Sequence, residues 1–133
     1  MTSANRAAFD AAIDNWNRGD LDRYLDLYDA SIQLHGYSEA PMQLASVRDF
    51  YLGVRAALSD SIIDVLDVVE TDARLAVRAT LSGTHTGEMA GVAPTGRRVV
   101  QPVMTFLRFA NARCVERWSI ADFPAVMAQI TAA

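Results

Sequence analysis

The residues best suited to chemistry lie in the last third of the chain. There His85-Thr-Gly-Glu88, Pro94-Thr-Gly96 and Glu116-Arg-Trp-Ser-Ile-Ala-Asp122 end strand-like runs in an otherwise aliphatic sequence. A lone imidazole and a lone carboxylate delivered to an apolar interior suit proton transfer, because burial moves their pKa values toward neutrality. Asp122 and His85 are therefore the candidate catalytic pair. On a regular last strand Cys114, Glu116, Trp118, Ile120 and Asp122 share one face, so Asp122 ends a face that also carries a tryptophan and an isoleucine. A poorly hydrated carboxylate there suits general acid/base work, while an aspartate at a strand-to-helix junction equally suits a helix cap through amides near Ala125. His85 ends the alternating face Leu75, Val77, Ala79, Leu81, Gly83. A neutral imidazole at that point either donates to a developing enolate oxygen or bonds a loop carbonyl as a structural group. His35, which ends the first strand, has the same two readings.

The other polar and aromatic residues have simpler roles. Glu116 suits an ion pair with Arg117, Arg113 or a helix arginine. Trp16, Tyr24, Tyr28 and Phe50 recur at helical spacing and read as core or cavity wall. The glycines at 83, 87, 91 and 96 do not follow phosphate-binding spacings, so no nucleotide site is indicated. Cys114 is the one cysteine and reads as a small core residue; neither histidine has a ligand companion at helical or hairpin spacing, so no metal is expected. All 12 basic residues are arginine, which leaves no lysine for Schiff-base chemistry. A net charge of −4 without a basic cluster argues against nucleic acid and anionic membrane as partners. The apolar runs are too short to cross a bilayer and the polar N-terminus does not resemble a secretory signal, so the expected location is cytoplasmic.

The elements that must position these residues follow from periodicity. At 133 residues the chain suits one domain, 1–133. A first helix is predicted over 4–18, ended by Gly19, and a second from an Asp20 cap through Tyr28. A short strand follows at 31–35, then a third helix from about Ser46 with Asp49 as a weak capping box. From residue 61 the period becomes that of strands: 61–70, a tight turn at Thr71-Asp72-Ala73, 74–85, then 97–109, in which Pro102 implies a bulge or an edge, and 113–121. A terminal helix covers 123–130. Three helices followed by an antiparallel meander predict an α+β fold whose curved sheet encloses a conical cavity, the default place for a small ligand. Asp122 and His85 are expected at its wall. Apolar residues on both faces of strands such as 61–70 predict a homodimer or higher homo-oligomer.

The helical hairpin, His35-Gly36, Gly83-Thr-His-Thr-Gly-Glu-Met-Ala-Gly-Val-Ala-Pro-Thr-Gly96, Phe106-Leu-Arg-Phe109, and Glu116-Arg-Trp118 with Asp122 and Gln129 together resemble the SnoaL-like polyketide cyclase family over residues 15 to 130. That resemblance implies a cone-shaped α+β barrel of the nuclear-transport-factor-2-like type, with three N-terminal helices on a strongly curved, mainly antiparallel sheet. It further implies a cofactor-independent aldol closure of a polyketide-derived ester, with Asp122 as general acid/base and His85 in support. His35, Trp16, Tyr28, Phe50 and Trp118 are the expected substrate contacts, and the expected partner is a hydrophobic small molecule. Two departures are visible: the strand Val99 to Phe109 has no histidine, and Ala110-Asn111-Ala112 replaces the family's Asp-Gly turn. The alternative is a ligand-binding or accessory module of a biosynthetic pathway, including a partner in hydroxylation, without acid/base catalysis of its own.

Overall fold

The computed structural model describes residues 3–133. Helix α1, Ala4–Asn17, begins where the Ser3 hydroxyl accepts the Arg6 N–H, and it buries Phe9, Ala12 and Trp16 at three- and four-residue spacing. Asp20 caps α2, Leu21–Tyr24, by accepting the Arg23 N–H. The expected continuation of this helix through Tyr28 is corrected. After one turn the chain tightens into a 3-10 turn, Leu25–Leu27, and Tyr28 already opens β1, Tyr28–His35. Tyr28 pairs with Cys114 on the last strand and receives a hydrogen bond from Arg117, contacts that outweigh a marginal two-turn helix. Helix α3, Leu44–Ala57, starts earlier than expected; Gln43 precedes it without a side-chain cap, and Ser46 and Asp49 lie inside it.

The strands β2 (Ile62–Glu70), β3 (Arg74–Thr84), β4 (Arg98–Ala110) and β5 (Arg113–Ala121) form the meander, followed by α4, Phe123–Thr131. The sheet order is β1-β5-β4-β3-β2, antiparallel except for the parallel β1–β5 pair, and the sheet is open, with β1 and β2 at its edges. The Thr71–Ala73 turn closes as expected, the Thr71 N–H donating to the Arg74 carbonyl.

Pro102 sits at a local edge. It pairs with Thr80 of β3, but β5 ends opposite Val103, so no residue of β5 lies opposite Pro102. The Asp122 N–H, just past the end of β5, donates to the Pro102 carbonyl at 2.9 Å; a strand residue's amide and carbonyl face the same way, so the absent proline N–H lies on the side where β5 has ended and the β3 ladder is untouched. Two residues back, the Gln129 side chain takes the place of a strand: its Oε1 accepts the Val100 N–H at 2.8 Å and its Nε2 donates to the Val100 carbonyl at 2.9 Å. That amide docks α4 against β4.

The main core lies between α1–α3 and the inner sheet face, where Leu75, Val77 and Ala79 of β3 meet Leu107 and Phe109 of β4. A smaller cluster of Ala57, Leu58, Val99, Val126 and Ile130 sits under α4. Gly36 ends β1 at φ +92°, where a Cβ would lie 2.0 Å from the Ser119 carbonyl oxygen, so only glycine lets the chain turn against β5. The outer sheet face stays apolar and bare: Ile120 is 80% and Met104 63% exposed. Among the described residues no helix is long and apolar enough to cross a membrane.

Candidate functional site

Between the helices and the inner face of the sheet lies a cavity of about 420 Å³, walled by Trp16, Phe50, Val54, Val77, Val103 and Phe123 among others. Its polar centre is Arg117, which points inward from β5 and is 8% exposed. Nε donates to the Thr105 hydroxyl at 2.8 Å, and Nη1 donates to the Tyr24 and Tyr28 hydroxyls at 2.9 and 2.7 Å. Further bonds close a circuit: Tyr28 to Tyr51 (2.5 Å), Tyr51 to Tyr37 (3.2 Å), Tyr37 to Ser119 (3.3 Å) and Ser119 to Thr105 (2.8 Å). A guanidinium only donates, so Tyr28 accepts from Arg117 and passes its own proton to Tyr51. The same direction then runs through Tyr37 and Ser119 to Thr105, whose hydroxyl donates to the Trp118 carbonyl.

Electrostatics keep this centre positive. Burial pushes the Tyr28 and Tyr51 phenols well above their ordinary range, more than Arg117 lowers them, so both stay neutral. Burial works against the Arg117 charge, but the ring of tyrosine oxygens more than offsets it and holds the guanidinium above its ordinary value. Among the described residues no carboxylate lies within salt-bridge distance of Arg117. Among the described residues the indole Nε1 of Trp16, a residue 2% exposed in the cavity wall, has no hydrogen-bond partner.

The sequence-based candidates divide into three groups. Trp16 and Phe50 line the cavity, and Tyr28 stands behind it, holding Arg117 and Tyr51. His35 and Trp118 are corrected: they pair across β1 and β5 on the outer face, stack at 5.3 Å, and line a separate groove of about 630 Å³ with Met104, Phe106 and Ile120. His35 Nε2 lies 2.8 Å from Glu116 Oε2, and Arg108 donates to Oε1 at 3.0 Å; the His35 bond first and the Arg108 bond second pull the Glu116 carboxyl below its ordinary range. Glu116 thus pairs with Arg108 and His35, not with Arg117. The assignment of the Cys114, Glu116, Trp118, Ile120 face as inward is reversed at its exposed end. Burying Arg117 is tolerable because hydroxyls surround it, and the apolar side chains of the other parity are left outside. Cys114 is a core residue, its thiol pushed up to about 11 chiefly by burial and so unreactive.

The expected placement of Asp122 and His85 at the cavity wall is also corrected, since neither is among the lining residues. Asp122 is exposed and caps α4, its Oδ1 accepting the Ala125 N–H at 3.0 Å. His85 is fully buried beneath the 86–97 loop. Its Nδ1 accepts the Thr95 N–H at 3.2 Å and lies 2.9 Å from the Thr95 hydroxyl, which places the imidazole proton on Nε2, an atom without a partner among the described residues. Among the described residues no group of three or more His, Cys, Asp or Glu could hold a metal ion. Arg117 is the residue missed by sequence reasoning; the available signal was the second parity of β5, where Arg117 and Ser119 can meet the helix tyrosines and Thr105.

A family profile of SnoaL-like polyketide cyclases matches residues 6–130. No match was found among curated proteins. Three solved structures illustrate what the fold is similar to. AclR from Streptomyces galilaeus, a proposed hydroxylase, is 28% identical, with 95% of this chain and 80% of that chain covered and a TM-score of 0.87. IdmH from Streptomyces antibioticus, a proposed polyketide cyclase, is 27% identical over 94% of this chain and 96% of that one, with a TM-score of 0.83. A SnoaL-like polyketide cyclase from Agrobacterium tumefaciens is 25% identical over 97% and 98%, with a TM-score of 0.79.

Proposed function

We propose that this chain, which belongs to the SnoaL-like polyketide cyclase family, takes a hydrophobic, oxygenated, polyketide-like molecule into its cavity and carries out a cofactor-independent acid/base step on it. An aldol-type ring closure or a related proton-transfer reaction fits best. The observation that carries this reading is the cavity: aromatic and aliphatic walls around one convergent polar centre, the usual make-up of a small-molecule site. Asp122 is the proposed base. Ala121 and Phe123, its two chain neighbours, both line the cavity, and the α4 cap uses Oδ1 while Oδ2 has no partner among the described residues. His85 supports the site by pinning the 86–97 loop through Thr95. The test is Asp122→Asn, which keeps the cap and removes the base: conversion of a polyketide-derived ester should fall by about 100-fold.

A second reading is favoured by the lining itself, which contains no carboxylate and no imidazole. A cavity so furnished suits an accessory or ligand-binding module, including a partner in hydroxylation, and conversion unchanged by Asp122→Asn would select it. In either case the outer sheet face calls for cover. Val69, Met104 and Ile120 are each more than 60% exposed there, an apolar surface that a second copy of the chain would bury through an isologous contact. A homodimer built on this face and a cytoplasmic location are part of the proposal.

A further inference from the structure

We propose that the Arg117 centre is a subsite for an anionic oxygen, so that the ligand of this cavity carries a carboxylate or an ionised enol or phenol on its hydrophobic skeleton. The inference rests on the reading that the cavity is the ligand site, and it narrows the class of ligand.

Three residues of the cavity lining carry donors beyond those that their internal bonds use. Trp16, Tyr24 and Arg117 all line the cavity, and the Trp16 and Tyr24 rings are 5.2 Å apart. Among the described residues the Trp16 Nε1–H has no partner. The Tyr24 hydroxyl accepts from Arg117, and among the described residues its own proton goes to no acceptor. Arg117 uses Nε and Nη1 on Thr105, Tyr24 and Tyr28, and Nη2 bonds none of these groups. A buried donor without an acceptor is costly, and a buried cation without a counter-charge more so. An oxygen anion placed here would answer both needs at once, because it accepts several hydrogen bonds and carries the missing charge. A purely hydrocarbon ligand would leave every one of these donors orphaned. A neutral ketone would satisfy a donor but not the charge.

The experiment compares two probes of nearly equal shape, 2-naphthoate and 2-acetonaphthone, by isothermal titration at neutral pH against the full chain and two variants. For the wild type, 2-naphthoate should bind at least about tenfold more tightly than the ketone, since hydrogen bonds to a charged group are the stronger ones. Arg117→Met should weaken 2-naphthoate by about tenfold or more and leave 2-acetonaphthone within about twofold, which abolishes the preference. Trp16→Phe, which keeps the ring and removes only the N–H, should weaken both probes by several-fold while the preference for the anion remains. Should Arg117→Met fail to fold, the wild-type comparison decides: a preference for 2-naphthoate supports the subsite and its absence overturns it. Equal affinities in the wild type, or a preference that survives Arg117→Met, overturn the anionic subsite and leave the cavity standing as a ligand site. Failure of both probes to bind the wild type overturns the cavity reading and the subsite with it.

Discussion

Replacing Asp122 separates two roles that one carboxylate can combine. In Asp122→Ala the bond from the Ala125 N–H to Oδ1 is lost, and α4 loses its N-cap. Such a loss costs about 1 kcal/mol. An unfolding entropy of about 2.1 cal/mol/K per residue gives about 0.28 kcal/mol/K for a chain of this length, so the melting temperature should fall by roughly 3–4 °C. In Asp122→Asn the side-chain oxygen that accepts the amide is retained, and the melting temperature should stay within about 1 °C of the wild type. The rate should behave differently. If Asp122 is the base, both variants lose it, and closure of a polyketide-derived ester, followed by chromatography of the cyclised product, should slow by about 100-fold, or about 2.7 kcal/mol in barrier. Equal melting temperatures for the wild type and Asp122→Ala would refute the capping argument. Full turnover by Asp122→Asn would refute the catalytic one.

Three other outcomes follow from single features. Ala112 holds φ +60° in the β4–β5 turn, a conformation that glycine adopts without penalty, so Ala112→Gly should raise stability to urea by about 0.5–1 kcal/mol. The Thr84 amide and then its hydroxyl hold the Asp60 carboxyl below the ordinary carboxylate range; the folded value lies below the unfolded one of about 3.9, so this contribution is present above that pH and is lost as pH falls through the folded value. Asp60→Asn should therefore flatten the acid limb of the stability profile below about pH 4 in urea titrations. Ile120→Arg places a charge in the middle of the bare outer face and should convert a dimer into a monomer in sedimentation at micromolar concentration, whereas a wild type that is already monomeric would remove the reason for that cover.

Much of the architecture was legible in the sequence because it depends on local signals. The Gly19 stop, the Thr71–Ala73 turn and the alternation of Leu75, Val77 and Ala79 are written in adjacent residues, and the α4 cap at Asp122 is a short-range motif. The site was less legible for a definite reason. Alternation along β5 shows that Glu116, Trp118 and Ile120 share a face, but not which face is covered. Hydrophobicity pointed the tryptophan inward. The chain instead buries Arg117, because hydroxyls from α2, β1 and β4 converge on it, a long-range arrangement that no window of sequence contains. The same long-range pull on Tyr28 shortened the expected second helix. The sequence marks His85 as the end of an apolar face, and only the folded chain shows that its partner is Thr95 in the loop beside it.

On the proposed reading, ligands enter the inner cavity and not the outer groove. The chain has 2 tryptophans, and they divide between the two sites: Trp16 lines the cavity and Trp118 lines the groove. Titrating 2-naphthoate into Trp118→Phe, whose remaining indole is Trp16, should quench or shift its fluorescence with the Kd found by calorimetry, while Trp16→Phe, in which only Trp118 emits, should show no change. A response from Trp118 with none from Trp16 would contradict the account, because it would place the ligand on the sheet face assigned here to a second copy of the chain.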